Sequence, residues 1–237
     1  MGAGVRKMKK IAILQSNYIP WKGYFDLINM VDEFVLYDDM QYTRRDWRNR
    51  NKIKTPQGLK WLTIPVDAKG KYFQKINETL ISEDDWAVKH WQTLKQFYAK
   101  SPFFKEYKDA FEAFYLTTTE QSLSQINYAL IMIINDILGI KTKISWSSEF
   151  DLIEGQSEKL LGICQQVGAD AYLSGPAAQG YFDEDLAERM GIKVEWMDYS
   201  GYPEYSQLSL PFEHSASILD LIFNEGPNAT KFMKSFK

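Results

Sequence analysis

Two stretches near the beginning of the chain carry most of the side chains that could do chemistry. The first, QSNYIPWKGY, joins an apolar strand to an amphipathic helix, although a plain connection needs only a glycine and a cap. A helix N-terminus offers free backbone N–H groups and a positive dipole end, which favour an anion such as phosphate. We therefore predict that this turn contacts a ligand through Gln15, Asn17, Tyr18, Trp21, Lys22, Gly23 and Tyr24.

The second stretch, RRDWRNRNKIKT, is rich in positive charge. If residues 48–54 form a strand, its period of two places Arg48, Arg50, Lys52 and Lys54 on one face. Unpaired cations cannot be buried cheaply, so they either meet an anion or stay in water. We predict phosphate binding by Arg45, Arg48, Arg50 and Lys52; a solvated edge strand is the open alternative.

Candidate proton-transfer groups lie nearby in sequence or near the C-terminus. Asp38 and Asp39 follow a predicted strand, and either could transfer a proton, hold a ribose or bind Mg²⁺; pairing with Arg44 or Arg45 is the alternative. His214 stands beside Glu213, which makes it the better acid/base candidate of the two histidines. Ser174 and Gly175 could bind an anion after another strand, or could simply turn the chain.

Composition excludes several classes of protein. With 237 residues and a net charge of −3, the chain has no global attraction for nucleic acid or an anionic membrane. One cysteine and two histidines exclude an intramolecular disulfide and argue against a metal centre built on those residues. The longest apolar run, ALIMII, is too short to span a bilayer, so we expect a cytoplasmic protein without membrane insertion. Residues 1–8 are interpreted as an extension or tag remnant before Met8.

The pattern of elements predicts an α/β fold. Apolar strands alternate with amphipathic helices at both ends of the chain, which favours a mostly parallel, Rossmann-like sheet within one domain over 9–227. A helical block interrupts this alternation over 82–139, with predicted caps at Ser82 and Ser101. A further helix is expected from about Ser215, and 228–237 form a C-terminal helix or tail. Ligands of such sheets bind beyond the carboxyl ends of the strands.

The first turn also resembles that of adenylyl- and nucleotidyltransferases, which leaves a HUP-like variant of the sheet open. Their His-x-Gly-His motif follows the first strand, and its histidines contact phosphates. Here the tetrad reads Trp21-Lys22-Gly23-Tyr24, so the glycine is present and both histidines are absent. Nucleotide binding through Lys22 remains open, whereas histidine-assisted nucleotidyl transfer is disfavoured.

Most of the chain, about Lys9 to Pro227, resembles the WbqC-like family. Five stretches carry the resemblance: ILQSNYIPWKGYFDLI, VLYDDMQYTRRDWRNRNKIKT, KWLTIPV, AYLSGPAAQGYFDEDL and YPEYSQLSLPFEHSASILDLIFNEGP. The family takes its name from a member encoded in O-antigen gene clusters, which implies a role in making bacterial surface polysaccharide. It supplies no established reaction to carry over.

Three functions follow as hypotheses. The first is binding of a nucleotide or nucleotide-linked sugar, with modification of an amino sugar by acyl or aminoacyl transfer. The second is a diverged nucleotidyltransferase, and the third is a non-catalytic partner in a polysaccharide assembly complex. The expected ligand is a small phosphate-bearing molecule and not nucleic acid. The sequence does not identify a cofactor, and Mg²⁺ is one candidate. The partner can be a second copy of the chain, forming a homo-oligomer, or another protein of the pathway.

Overall fold

The computed structural model describes residues 4–236, so residues 1–3 of the predicted extension lie outside it. Its centre is a five-stranded parallel sheet with the order β5-β2-β1-β6-β7. The strands are β1 (Lys10–Leu14), β2 (Glu33–Leu36), β5 (Lys143–Trp146), β6 (Ala171–Ser174) and β7 (Lys193–Trp196). An antiparallel hairpin of β3 (Arg50–Thr55) and β4 (Gly58–Thr63) stands apart from this sheet. The Rossmann-like α/β prediction is confirmed.

Seven α-helices accompany the strands in the described chain. They are α1 (Lys22–Asn29), α2 (Trp86–Tyr98), α3 (Phe104–Thr117), α4 (Leu123–Leu138), α5 (Gln156–Val167), α6 (Glu184–Arg189) and α7 (Ile218–Glu225). Short 3₁₀ segments cover Ile76–Glu78, Ser147–Glu149, Pro176–Gly180 and Gly226–Phe232. The last of these falls partly in the predicted C-terminal helix or tail. No helix among residues 4–236 is both long and apolar enough to cross a membrane.

Alternating strand residues face two hydrophobic clusters. Ile11 and Ile13 of β1 pack with α5 and α6, whereas Ala12 packs with the cluster that contains α1, α7 and the α2–α4 block. This division follows from the period of two along a strand whose two faces are both buried. The helical block therefore adds to one face of the sheet and leaves the α5 face to a smaller core.

The first two helices of the block begin later than predicted. The backbone N–H of Ser82 donates to the carbonyl of Pro65 (2.9 Å), which holds Ser82 outside the helix, and α2 starts only at Trp86. Similarly, the N–H of Phe103 donates to the carbonyl of Phe223 in α7 (3.0 Å), so α3 starts at Phe104 and not beside Ser101. Tertiary hydrogen bonds outweigh local capping preference at both places.

The N-terminus of α7 is fixed by the elements that carry the candidate site. Ser217 caps the helix through its hydroxyl, and its own N–H donates to the carbonyl of Lys52 in β3 (2.8 Å). The N–H of Ile218 donates to the carbonyl of Pro20 in the first turn (2.8 Å). The first turn, the hairpin and the segment before α7 are thereby held against one another.

Candidate functional site

A cavity of about 450 Å³ opens at the carboxyl edge of the parallel sheet. We call it the sheet-edge cavity; its lining includes Leu14, Gln15, Tyr37, Gly155, Lys159, Tyr172, Ser174, Gly175 and Tyr181. It lies between the neighbouring strands β1 and β6. From β1 the chain continues to β2 on one side, and from β6 it continues to β7 on the opposite side. This is the topological switch point, at which open α/β sheets bind ligands.

The N-terminus of α5 forms one wall of the sheet-edge cavity. Gly155 precedes the helix with a φ of +102°, which favours glycine; no side chain forms a capping hydrogen bond, although the Glu158 carboxylate lies against Gly155. Unpaired N–H groups of a helix start attract anions. Lys159, one turn further on, is 28% exposed and adds a positive charge to the same wall.

The adjacent carboxylates Asp38 and Asp39 have different environments. Asp38 is buried and accepts hydrogen bonds from the Ser16 N–H (2.8 Å), the Ser16 hydroxyl (2.6 Å) and the Ser124 hydroxyl (2.6 Å). The side chain of Asp39 is 7% exposed, and its Oδ2 lies 3.8 Å from Lys159 Nζ. Its Oδ1 has no hydrogen-bond partner within residues 4–236. Asp38 therefore ties the first turn to α4, while Asp39 keeps one acceptor free.

The middle of the first turn is anchored in the core. Tyr18 is fully buried, and its hydroxyl bonds to His90 Nδ1 (2.8 Å) and to the Tyr115 hydroxyl (2.5 Å). Ile19 has a φ of +35°, an unfavourable value for a β-branched residue. Tyr24 is also buried and donates its hydroxyl to the carbonyl of Gln15 (2.8 Å). Tyr18 and Tyr24 thus hold a strained turn in place and line neither ligand pocket.

A second pocket, of about 240 Å³, lies on the other side of this turn. We call it the tryptophan cleft; it is lined by Asn17, Trp21, Trp47, Asn51 and Ser215. The indole of Trp21 packs edge-on against Tyr199 and Tyr202, at centroid distances of 5.2 and 5.6 Å. That indole also covers Gly23, where any Cβ would overlap its ring. Gly23 therefore lacks a side chain where the Trp21 indole needs the space.

The predicted row of cations borders the tryptophan cleft but is largely engaged by protein groups. Arg48 donates to Asn17 Oδ1 and lies 3.7 Å from Asp46. Arg50 stacks 3.9 Å from the centroid of Trp61, and Lys52 Nζ lies 4.8 Å from the same ring. Such cation–π contacts partly satisfy positive charge without an anion.

Two further members of the basic stretch depart from the expected pattern. Lys54 is buried, with its Nζ 3.3 Å from the carbonyl of Thr55, so it does not continue the half-buried row of Arg50 and Lys52. Arg45 is exposed and has a φ of +58°, and its carbonyl accepts a hydrogen bond from the Arg50 guanidinium. The predicted row of four equivalent cations is reduced to Arg50 and Lys52, since Arg48 precedes β3 and Lys54 is buried.

Lys22 is buried next to the tryptophan cleft. The residue as a whole is 2% exposed, and its Nζ lies 3.0 Å from His214 Nδ1. Three rings surround the amine, which we call the aromatic cage: Tyr202, Tyr205 and Phe212, at 5.1, 5.4 and 5.6 Å. Burial lowers the pKa of Lys22 to about 8, although the charges of Asp220 and Asp26 oppose this. Burial and the Lys22 charge also lower the pKa of His214.

The predicted site residues therefore fall into two groups. Gln15, Ser174 and Gly175 meet in the sheet-edge cavity, with Asp39 beside it, whereas Asn17 and Trp21 line the tryptophan cleft with Lys22 and His214 behind. Sequence reasoning missed Lys159, Tyr37 and Tyr181; the glycine before α5 was the available signal for that wall. Within residues 4–236, no three acidic, histidine or cysteine side chains cluster as metal ligands.

The fold and the sheet-edge cavity define a Rossmann-like α/β protein with a cavity at the switch point of its sheet. The chain belongs to the WbqC-like protein family, whose model matches residues 15–232. It is also 50% identical over 227 residues to the uncharacterized protein Rv1507c of Mycobacterium tuberculosis, covering 96% of this chain and 98% of that protein. No solved structure matches the chain.

Proposed function

We propose that the sheet-edge cavity binds a nucleotide-linked sugar or another phosphate-bearing sugar for the synthesis of surface polysaccharide. The observation that carries this proposal is the meeting of the uncapped α5 N-terminus and Lys159 at the switch point of a parallel sheet. A phosphate group suits that wall because backbone N–H groups and an ammonium both favour negative charge. The family's association with O-antigen gene clusters supports the choice of a sugar ligand.

The rest of the cavity suits the other parts of such a ligand. Its volume of about 450 Å³ falls within the usual range for small-molecule sites. The ring of Tyr181, which is 54% exposed, offers surface for a base or a sugar, whereas Tyr37 and Tyr172 line the cavity as buried side chains. Asp39 lines a neighbouring pocket that shares Gly155 and Lys159 with the cavity, and its unpartnered Oδ1 is itself buried. A rotation of the Asp39 side chain would present the carboxylate to a ligand hydroxyl, and a Mg²⁺ ion carried by the phosphate would meet Asp39 rather than the fully bonded Asp38.

The other hypotheses receive less support. Nucleotidyl transfer required Lys22 to reach a phosphate, but Lys22 is enclosed by the aromatic cage and bonded to His214. A purely non-catalytic partner protein would need no pocket around the first turn, and two pockets adjoin it. Acyl or aminoacyl transfer remains the proposed type of modification, with Asp39 beside the sheet-edge cavity as its acid/base group.

Binding of nucleotide sugars tests the proposal directly. Wild-type protein is titrated by calorimetry with UDP-, dTDP-, GDP- and CMP-linked sugars and with sugar 1-phosphates. We expect at least one of them to bind, and we expect Lys159→Met to weaken that binding about 10- to 100-fold through the loss of one charge-assisted contact.

Lys141→Met is the matched control, because Lys141 is an exposed lysine away from both pockets. It should bind the same ligand as tightly as the wild type does. The proposal fails if no compound of the panel binds, or if Lys159→Met and Lys141→Met bind equally well.

A further inference from the structure

The buried amine of Lys22 has an unusual set of neighbours. Its hydrogen-bond partner is the imidazole of the exposed His214, and no carboxylate lies within 4.0 Å of the amine in the described part of the chain. A buried lysine normally forms an ion pair. Here a neutral ring nitrogen takes that place, so the pair Lys22–His214 can share a single proton.

The nearest carboxylates are held by other groups. Asp26 accepts from the Tyr202 hydroxyl (2.5 Å) and from the backbone N–H groups of Lys234 and Ser235, both at 2.9 Å. Asp220 accepts from the Tyr98 hydroxyl (2.8 Å), the Tyr205 hydroxyl (2.6 Å) and Gln207 (3.0 Å). Two cage tyrosines thus turn their hydroxyls to these carboxylates and their rings to Lys22.

The charges around the pair set its proton affinity. The charges of Asp220 and Asp26 favour the ammonium form of Lys22, and Lys54 lies near Asp220. The charges of Glu204 and Glu213 favour the protonated form of His214. Burial outweighs the two aspartates, and it lowers the pKa of Lys22 to about 8. A neutral amine is therefore accessible near neutral pH, as a proton acceptor requires.

We propose that Lys22 and His214 form a proton relay that takes a proton from an amino or hydroxyl group of a ligand in the tryptophan cleft. The pair lies behind the wall of the cleft, since the Tyr202 ring contacts both the Trp21 indole that lines the cleft (5.6 Å) and the Lys22 amine (5.1 Å), and His214 directly precedes the lining residue Ser215. The ring faces of Trp21 and Trp47 suit a sugar or another ring-bearing ligand. This second site does not depend on the function of the sheet-edge cavity.

The relay moves one proton in two linked steps. In the receptive state Lys22 is neutral, and the Nδ1–H of His214 donates to its Nζ, which leaves a lone pair on Nε2. The ligand's N–H or O–H bond breaks, its electron pair stays on the ligand atom, and its proton goes to Nε2. The Nδ1 proton passes to Nζ, which becomes an ammonium that donates to Nδ1. The ligand atom is then a nucleophile, and the proton rests on Lys22.

Nitrogen NMR of the two histidines tests this inference without any ligand. In the wild type we expect the His214 ring to be the Nε2–H tautomer while Lys22 is charged, and to change tautomer near the Lys22 pKa of about 8. Lys22→Arg should remove that transition up to about pH 10, because a guanidinium does not lose its proton in this range. Lys52→Met, at the border of the cleft but outside the pair, should retain it.

Acylation by diethyl pyrocarbonate gives a second readout, followed by mass spectrometry. At pH 7 we expect wild-type His214 to react about tenfold more slowly than at pH 9. About one pH unit below its pKa, only about a tenth of Lys22 is neutral, and the charged form keeps the proton of His214 on Nε2, where the reagent would attack. Lys22→Met should react at the faster rate at pH 7, and Lys22→Arg should be slow at both pH values.

His90 serves as the internal reference in both measurements. It is buried between Tyr18 and Thr63, so its unchanged resonances and low reactivity show that each variant is folded. The relay is overturned if wild-type His214 shows no tautomer change between about pH 7 and pH 9. It is equally overturned if Lys22→Arg retains the wild-type transition. Both results leave the sugar-phosphate proposal untouched, since no ligand is present.

Discussion

The sheet-edge cavity and the tryptophan cleft adjoin the same turn, Gln15–Tyr24, but they are built in different ways. The cavity is formed by strand ends and a helix start. In residues 4–236 no side chain forms a capping hydrogen bond at the start of α5, and Oδ1 of the adjoining Asp39 has no hydrogen-bond partner. The cleft is assembled from side chains of distant segments, and its Asn17 and Asn51 already bond to Arg48 and to the carbonyl of Tyr18.

This difference suggests that one pocket is better suited to binding a polar ligand and the other to transferring a proton. Open backbone N–H groups at a helix start can bind a polar ligand, because its hydrogen bonds replace those with water. In the cleft, the polar groups mainly fix the geometry, and the group with altered acidity, Lys22, lies behind the wall. We therefore propose that the cavity binds a phosphate-bearing ligand through its open groups and that the pair behind the cleft accepts a proton from a separate ligand. Stability measurements can test how differently the two regions are held.

The largest expected effect distinguishes Asp38 from Asp39. Asp38→Ala removes a buried carboxylate that accepts three hydrogen bonds, so it should lower the free energy of unfolding by about 3–5 kcal/mol. Asp39→Ala loses only a 3.8 Å contact with Lys159 and removes an unpartnered oxygen, so it should change that free energy by less than about 1 kcal/mol. Urea denaturation measures both. Equal losses would mean that the two carboxylates are held alike.

The same pair shows what the sequence could and could not predict. The apolar strands and the positions of Gln15, Ser174 and Gly175 at strand ends follow from periodicity and from the rules of parallel sheets. Both oxygens of Asp38 are bonded by Ser16 of the first turn, and Ser124 of the inserted helical block adds a third hydrogen bond. That contact is tertiary, so no local pattern carries it.

The Lys22 environment was beyond sequence reasoning for a similar reason. Lys22 sits at a helix start, where a phosphate contact was the natural prediction. Its actual partner, His214, is 192 positions away in the chain. The aromatic cage comes from the long segment before α7, whose aromatic residues carried no helical or strand period. His214 was recognised as an acid/base candidate from its neighbour Glu213, but the structure pairs it with a lysine.

Acid should weaken the anchoring of the turn through His90. His90 accepts from Tyr18 at Nδ1 and donates to the carbonyl of Thr63 at Nε2 (2.9 Å), an arrangement that needs the neutral ring. Burial lowers its pKa from 6.5 to about 4. Between these values the unfolded chain binds a proton that the folded chain does not.

The His90 contribution is therefore complete above about pH 6.5, declines as the pH falls, and is lost below about pH 4, for a total of about 3 kcal/mol. Unfolding free energies measured in urea at several pH values should show this decline in the wild type. His90→Phe should show a shallower dependence on pH, because the substituted ring cannot titrate. Parallel curves for the two proteins would contradict this account of the turn.

The smallest of the three effects concerns Gly23, which determines the wall of the tryptophan cleft. Alanine would ordinarily favour a helix over glycine, yet its Cβ here would overlap the indole of Trp21. We expect Gly23→Ala to displace that ring, to lower the free energy of unfolding by about 1–3 kcal/mol and to change the tryptophan fluorescence. Gly180→Ala is the matched control, because a Cβ there meets no atom within 4 Å and should change stability by less than about 0.5 kcal/mol. If Gly23→Ala is as stable as that control, the indole is free to move, and the cleft is as open to rearrangement as the sheet-edge cavity.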